Sequence, residues 1–134
     1  MSSAAIQTTP RWKSVSVWAL KALLALAFLA AGGAKLSGAP MMVETFEHIG
    51  LGQWFRYVTG ALEVAGAIAL LIPSVAAFGA LLLCCIMVGA IITHVVIGGS
   101  VVPAIVLLLM SGTIAFIHRS QIDDLFDALT GDKA

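Results

Sequence analysis

Four ionisable residues interrupt the apolar parts of this sequence: Lys35, Arg56, Glu63 and His94. An ionisable side chain inside a lipid bilayer is costly unless it is paired or faces water, so such residues are candidates for function. A carboxylate can accept and release protons, whereas Lys, Arg and His can donate hydrogen bonds to a carbonyl group. These residue types therefore predict either a structural ion pair or a polar site for a ligand or for protons.

The spacing of these residues predicts where they lie. Glu63 follows Arg56 by seven residues, which places it on the same helix face about 10 Å deeper, and Thr59 lies between them. Lys35 ends one apolar segment and His94 lies one turn from the end of another, so both belong near the membrane boundary of Arg56. Small residues share these faces, as is typical of close helix contacts. We therefore predict a cavity that is open on the outer side, ends at Glu63, and is lined by Lys35, Arg56, Thr59, Glu63 and His94.

The composition requires a lipid environment for most of the chain. Of its 134 residues, 60% are hydrophobic and 10% are charged, whereas an ordinary soluble domain is about one-quarter charged. Basic and acidic residues balance at seven each, so the basic face that nucleic-acid binding needs is missing. Two cysteines are too few for a disulfide scaffold. Lipid is the expected partner, and a self-contained soluble enzyme is disfavoured.

The charge-free run from Val64 to Ile117 is too long for one crossing, which takes about 20 residues. It breaks at Pro73 and again at Gly98 and Gly99, where a helix is disfavoured. The sequence thus predicts one domain over 1–134, all-α, an integral membrane four-helix antiparallel bundle with spans at about 17–36, 54–72, 75–97 and 101–118. Pro40–Ile49 is predicted as a short amphipathic outer helix. The acidic tail 121–134 could fray, cover the inner mouth of the bundle or dock a partner.

Basic residues also predict the orientation. Lys35 and Arg56 lie on one side, and five basic residues lie on the side of the termini: Arg11, Lys13, Lys21, Arg119 and Lys133. Cytoplasmic segments carry the excess of Lys and Arg, so both termini are predicted to be cytoplasmic, in the cell inner membrane. Lys21 interrupts the start of the first span, so we expect this span to be retained rather than cleaved as a signal peptide.

Other chemistry has weaker support in the sequence. Cys84 and Cys85 are adjacent in one predicted helix and lack the spacing of a redox pair, so packing is their expected role. His94 and His118 are expected at opposite ends of the bundle and cannot share one haem. No metal site is predicted. Because no phosphate loop or hydrolase motif is present, no catalytic residue is assigned.

Four stretches carry a family resemblance: FLAAGGAKLSG from Phe28, FEHIGLGQW from Phe46, GALEVAG from Gly60 and MVGAIITH from Met87. In order and spacing they resemble the DoxX-like family of small four-helix membrane proteins over about residues 17–119. The polar positions of that family fall on Lys35, Glu63 and His94. The resemblance implies an oxidoreductase component associated with quinone-linked or terminal oxidase complexes, with quinone as the implied cofactor.

Several functions stay open on the sequence alone. The first is a quinone-contacting or non-catalytic subunit of a membrane redox complex, which could also form a homo-oligomer. The second is a small proton-coupled transporter that uses Glu63. The third is a membrane scaffold or assembly factor that docks through the acidic tail. Under each, Lys35 or Arg56 could simply neutralise Glu63 and fix the register of the helices.

Overall fold

The structure is a computed structural model that describes residues 11–131. Within this range the chain is helical and contains no strand. A short 3₁₀ turn at Pro73–Val75 separates the third and fourth helices. The helices, in chain order, are α1 Arg11–Ser37, α2 Pro40–Ile49, α3 Gln53–Leu70, α4 Ala76–Ile97, α5 Val102–Ile117 and α6 Arg119–Thr130.

The predicted membrane segments coincide with α1, α3, α4 and α5 to within a few residues, except that α1 begins earlier, at Arg11. Two helical segments are long and apolar enough to cross a membrane, Arg11–Ser37 and Pro73–Ile97. A third span results if α5 and α6, which meet at an angle of 62°, are counted together. Length and composition thus support two or three spans, and the fourth stays a prediction.

Glycine and proline set several helix boundaries where the sequence indicated. Gly50 and Gly98 follow α2 and α4 with φ angles of 79° and 77°, the left-handed conformation that commonly ends a helix. Pro40 and Pro103 lie in the first turns of α2 and α5, where the missing backbone N–H costs no hydrogen bond. These residues keep the connections between the helices short.

The core lies between α1, α3, α4 and α5. Its fully buried large side chains are Phe28, Leu24, Leu70, Leu83 and Ile114. The opposite faces of the same helices expose many large apolar side chains, among them Leu26, Val96 and Leu109. A soluble monomer rarely exposes so much contiguous apolar surface, so these faces are the expected contact with lipid chains.

Pairs of glycines bring the helix backbones close together. A Cβ atom on Gly32 of α1 would lie 2.8 Å from the carbonyl oxygen of Gly60 of α3. A Cβ atom on Gly79 of α4 would lie 2.9 Å from the carbonyl oxygen of Gly66 of α3. Small residues at crossing points allow such close packing in membranes. The crossing of α1 and α3 is thereby fixed close to Glu63.

The predicted acidic tail begins as an ordered helix. Gln121 of α6 donates from Nε2 to the carbonyl oxygen of Pro73 at 2.5 Å. Its Oε1 accepts from the backbone N–H of Ala77 at 3.1 Å. These contacts attach α6 to the turn between α3 and α4. Residues 132–134 of the tail, including Lys133 of the orientation argument, lie outside the described residues.

Candidate functional site

A buried ion pair joins α1 to α3. The Nζ atom of Lys35 lies 3.1 Å from Oε1 of Glu63 and 3.1 Å from its Oε2. Glu63 is 2% exposed and Lys35 is 14% exposed. No other ion pair occurs within residues 11–131. Lys35 lies in the last turn of α1, where the helix dipole favours a positive charge.

A cavity of about 610 Å³ borders this ion pair. Five helices, α1 to α5, contribute to its walls, and most of its lining is apolar. Its volume lies within the range typical of small-molecule sites, about 300–1,000 Å³. The lining side chains with a hydroxyl, thiol or ionisable group are Lys35, Thr45, Thr59, Glu63, Cys85, Thr93 and His94.

The threonines on α3 and α4 have their donors occupied. The hydroxyl of Thr59 donates to the carbonyl oxygen of Phe55 at 2.8 Å, and the hydroxyl of Thr93 donates to that of Gly89 at 2.8 Å. Both hydroxyl oxygens keep acceptor capacity toward the cavity. Donors to a ligand must therefore come from Lys35 or His94.

His94 lies at the end of the cavity wall near α2 and packs under the turn that follows α4. A Cβ atom on Gly99 would lie 2.5 Å from Nδ1 of His94, so a larger residue at position 99 would require the His94 ring to move. The backbone N–H of Gly99 donates to the carbonyl oxygen of His94 at 2.8 Å. Nδ1 of His94 is buried and has no hydrogen-bond partner among residues 11–131.

Arg56 has a different role from the one the sequence predicts. Its Nη1 donates to the backbone carbonyl of Lys35, and its Nε donates to Oε1 of Gln53 at 2.7 Å. The guanidinium lies 4.3 Å from the ring centroid of Tyr57. It is buried, but it does not line the cavity. The structure brings Lys35, Thr59, Glu63 and His94 together at one cavity and places Arg56 behind the end of α1.

The short helix α2 covers one end of the cavity. Met42, Phe46 and Ile49, which share the apolar face of this helix, all line the cavity. The ring of Phe46 lies 5.8 Å from that of Phe55 of α3. The sequence predicts this helix on the outer face of the membrane, and the structure shows that it closes one end of the cavity.

Sequence reasoning missed Thr93 and Cys85 as lining residues. Together with Gly89 they lie four residues apart along α4, which places them on one helix face. The sequence offered a signal for both residues. Thr93 is adjacent to His94, and the four-residue steps from Thr93 back through Gly89 to Cys85 follow one face of the helix. Among the described residues, no three His, Cys, Asp or Glu side chains lie close enough together to hold a metal ion.

An all-helical chain with lipid-length apolar helices and a polar cavity between them defines a class of protein, a helical integral membrane protein. The particular family follows from its sequence: the chain belongs to the DoxX-like family, whose profile matches residues 19–117. It is similar to "Uncharacterized protein YdgD" of Bacillus subtilis (strain 168), with 42% identity over 79 residues, covering 56% of this chain and 69% of that protein. No solved structure matches this chain.

Proposed function

We propose that this protein is a membrane subunit that binds an uncharged, lipid-soluble molecule of the quinone class in the cavity beside Lys35 and Glu63. One observation carries the proposal: a buried ion pair borders a mainly apolar cavity of about 610 Å³. Apolar walls with a few polar groups are typical of small-molecule sites. Intramembrane ionisable residues mark functional sites in helical membrane proteins.

The charges of the site favour an uncharged ligand. Lys35 and Glu63 neutralise each other, so a charged ligand would leave one charge without a partner in a poorly solvated place. An ammonium group has three N–H donors, and Lys35 could direct one of them to a carbonyl oxygen of the ligand. His94 offers a second donor from α4. The apolar part of the ligand would pack on the apolar walls, such as Phe28 and Leu107.

A bound quinone would supply the redox chemistry, and the residues of this chain would position it. Glu63 is the group that could take up or release a proton near the ligand, because it is the acidic side chain among the lining residues. We propose no catalytic residue beyond this. The same proposal includes association with other subunits of a membrane redox complex or with a second copy of the chain.

We further propose that α1, α3, α4 and α5 all span the membrane as an antiparallel bundle, with both termini in the cytoplasm and the protein in the inner membrane. The burial of Arg56 and Glu63 supports a span at α3, because this helix turns its ionisable side chains away from lipid. Reporter fusions after residues 51, 74, 99 and 131 test this topology. Alternation of the reporter signal supports it, and equal signals at 51 and 74 contradict it.

Equilibrium binding of a short-chain quinone analogue to the purified protein tests the proposed function. Glu63→Gln removes the carboxylate charge and keeps the side-chain shape, and Glu47→Gln, on the exposed face of α2, is the matched control. The carboxylate of Glu63 holds the ammonium of Lys35 by charge-assisted hydrogen bonds, and a hydrogen bond to a charged group is worth about 1.5–3 kcal/mol. Without it Lys35 no longer holds its donor toward the ligand, so we expect about tenfold or more weaker binding for Glu63→Gln. Equal affinities for Glu63→Gln and the unaltered chain contradict the proposal.

Two other outcomes would select the alternative functions. Proton-driven solute uptake into liposomes that disappears with Glu63→Gln would indicate a proton-coupled transporter. Loss of partner co-purification after deletion of residues 121–134, with no analogue bound by the full chain, would indicate a scaffold. The exposed side chains Leu125, Phe126 and Leu129 of α6 are the surface that such a partner would contact.

A further inference from the structure

Another buried basic residue lies at the end of the molecule opposite α2. Lys21 of α1 is 2% exposed, and within residues 11–131 it has no acidic partner. Its ammonium nitrogen lies 4.8 Å from the ring centroid of Trp18. A cation over an indole ring is stabilised to some extent, but the ring supplies no counter-charge.

Lys21 is buried within the length of a membrane span, so its positive charge is costly without a counter-charge. Lys21 and Lys35 lie on the same helix, and a rise of about 1.5 Å per residue places them about 21 Å apart. The hydrocarbon core of a bilayer is about 30 Å thick, so the two lysines cannot both lie outside it. Lys35 is neutralised by Glu63. A Cβ atom on a helix points toward the helix N-terminus, so the Lys21 side chain reaches toward the membrane surface at which α1 begins. An anion at that surface would remove the cost of the buried charge.

A second unsatisfied group lies at the same end of the helix bundle as Lys21. His118 directly follows the last residue of α5, and α5 packs against α1. Nε2 of His118 is buried and has no hydrogen-bond partner among the residues described. The acidic side chains of α6 do not compensate this charge, because they are exposed and make no ion pair with Lys21: Asp123, Asp124 and Asp127.

We propose that Lys21 and His118 bind a phosphate group where α1 begins and α5 ends, supplied either by an anionic lipid headgroup or by free phosphate. Basic pockets between transmembrane helices bind anionic headgroups, and charge-assisted hydrogen bonds to phosphate are among the strong ones. The half-exposed indole of Trp18 beside the site suits the headgroup level, where tryptophan is enriched. This site is separate from the cavity and does not depend on the proposed function.

Thermal unfolding of the full chain in detergent tests the site, with added phosphatidylglycerol, phosphatidylcholine or inorganic phosphate. Lys21→Met removes the charge at nearly equal length, and Lys13→Met is the matched control, because Lys13 is an exposed lysine that also lies beside a tryptophan ring at the same end. We expect phosphatidylglycerol to stabilise the unaltered chain and the Lys13→Met variant. The apparent affinity of Lys21→Met should be at least about fivefold weaker, and that of His118→Phe intermediate.

The reagents distinguish the two sources of phosphate. Stabilisation by phosphatidylglycerol alone identifies a lipid headgroup, whereas stabilisation by inorganic phosphate that Lys21→Met removes identifies free phosphate. Asp132→Asn, which removes a carboxylate outside the described residues, should leave the effect unchanged. Three results would overturn the site: a Lys21→Met variant that responds as the unaltered chain does, an equal loss in Lys13→Met, or no response to either reagent.

Discussion

Lys35 and Glu63 are held 3.1 Å apart at both carboxylate oxygens, although they lie on different helices. Two neighbouring contacts fix this geometry. Arg56 donates to the backbone carbonyl of Lys35, and Gly60 allows the backbone of α1 to approach α3 at the turn before Glu63. The ion pair is therefore part of the contact between α1 and α3 as well as part of the cavity wall.

Replacing one partner of the Lys35–Glu63 pair should destabilise the folded protein more than replacing both. Lys35→Met leaves the carboxylate of Glu63 buried, which costs about 3–5 kcal/mol when a buried pair is broken. The double variant Lys35→Met with Glu63→Gln leaves no charge and should recover most of that loss. Thermal unfolding in detergent measures both. A double variant as unstable as Lys35→Met alone would contradict the coupling of the two charges.

The close contact of α1 and α3 should not tolerate one extra methyl group. A Cβ atom on Gly60 would lie 3.0 Å from the carbonyl oxygen of Gly32 and 3.0 Å from Cβ of Lys35, so Gly60→Ala should destabilise the protein by about 1–3 kcal/mol. Gly33→Ala is the control, because a Cβ atom there meets nothing within 4 Å. It should be neutral or stabilising by up to about 1 kcal/mol. Similar losses of stability for both variants would show that the Gly60 contact is not special.

Arg56 should matter for stability and not directly for ligand binding. Arg56→Met removes hydrogen bonds from a charged group to the carbonyl of Lys35 and to Gln53, each worth about 1.5–3 kcal/mol. Because Arg56 does not line the cavity, a quinone analogue should bind the folded variant within about threefold of the normal affinity, a difference under 1 kcal/mol. Unfolding and binding are measured on the same sample. Binding lost as strongly as with Glu63→Gln would place Arg56 in the site.

The attachment of α6 should depend on one side chain. Gln121→Ala removes the contacts to Pro73 and Ala77, so the backbone amides of α6 should exchange hydrogen faster while those of α3 and α4 keep their protection. Hydrogen exchange read by mass spectrometry measures this difference. Thr130→Val is the control, because its hydroxyl bonds only within α6. Unchanged exchange in Gln121→Ala would show that other contacts attach the helix.

The sequence predicts the helices well, because proline, glycine and charge gaps are local signals. Pro73 and Gly98 fall at the predicted breaks. The amphipathic pattern of α2 is equally local, but the position of its apolar face against the cavity was not predicted. The number of spans does not follow from apolarity. The helix α3 contains Arg56 and Glu63, and it is not among the helices that are long and apolar enough to cross a membrane.

The partners of the polar residues could not be predicted in the same way. The sequence leaves Lys35 and Arg56 as equal candidates for Glu63, since both were placed at the same boundary. The choice depends on the backbone of α1, where the carbonyl of Lys35 accepts a hydrogen bond from the guanidinium of Arg56. Every residue has a backbone carbonyl, so the spacing of residue types in the sequence does not show which carbonyl accepts from Arg56. The sequence likewise indicates Lys21 only as a basic residue on the side of the termini, and not as one without an acidic partner among residues 11–131.

The most direct test of the cavity as a binding site uses its own cysteine. Cys85 lines the cavity and Cys84 does not, so chains with Cys84→Ser or Cys85→Ser each keep one thiol to react with a lipid-soluble maleimide. We predict that a quinone analogue slows labelling of Cys85 and leaves Cys84 unaffected, and that Glu63→Gln shifts the protection to higher analogue concentration. Labelling of Cys85 at the same rate with and without saturating analogue would contradict a ligand site at the Lys35–Glu63 pair.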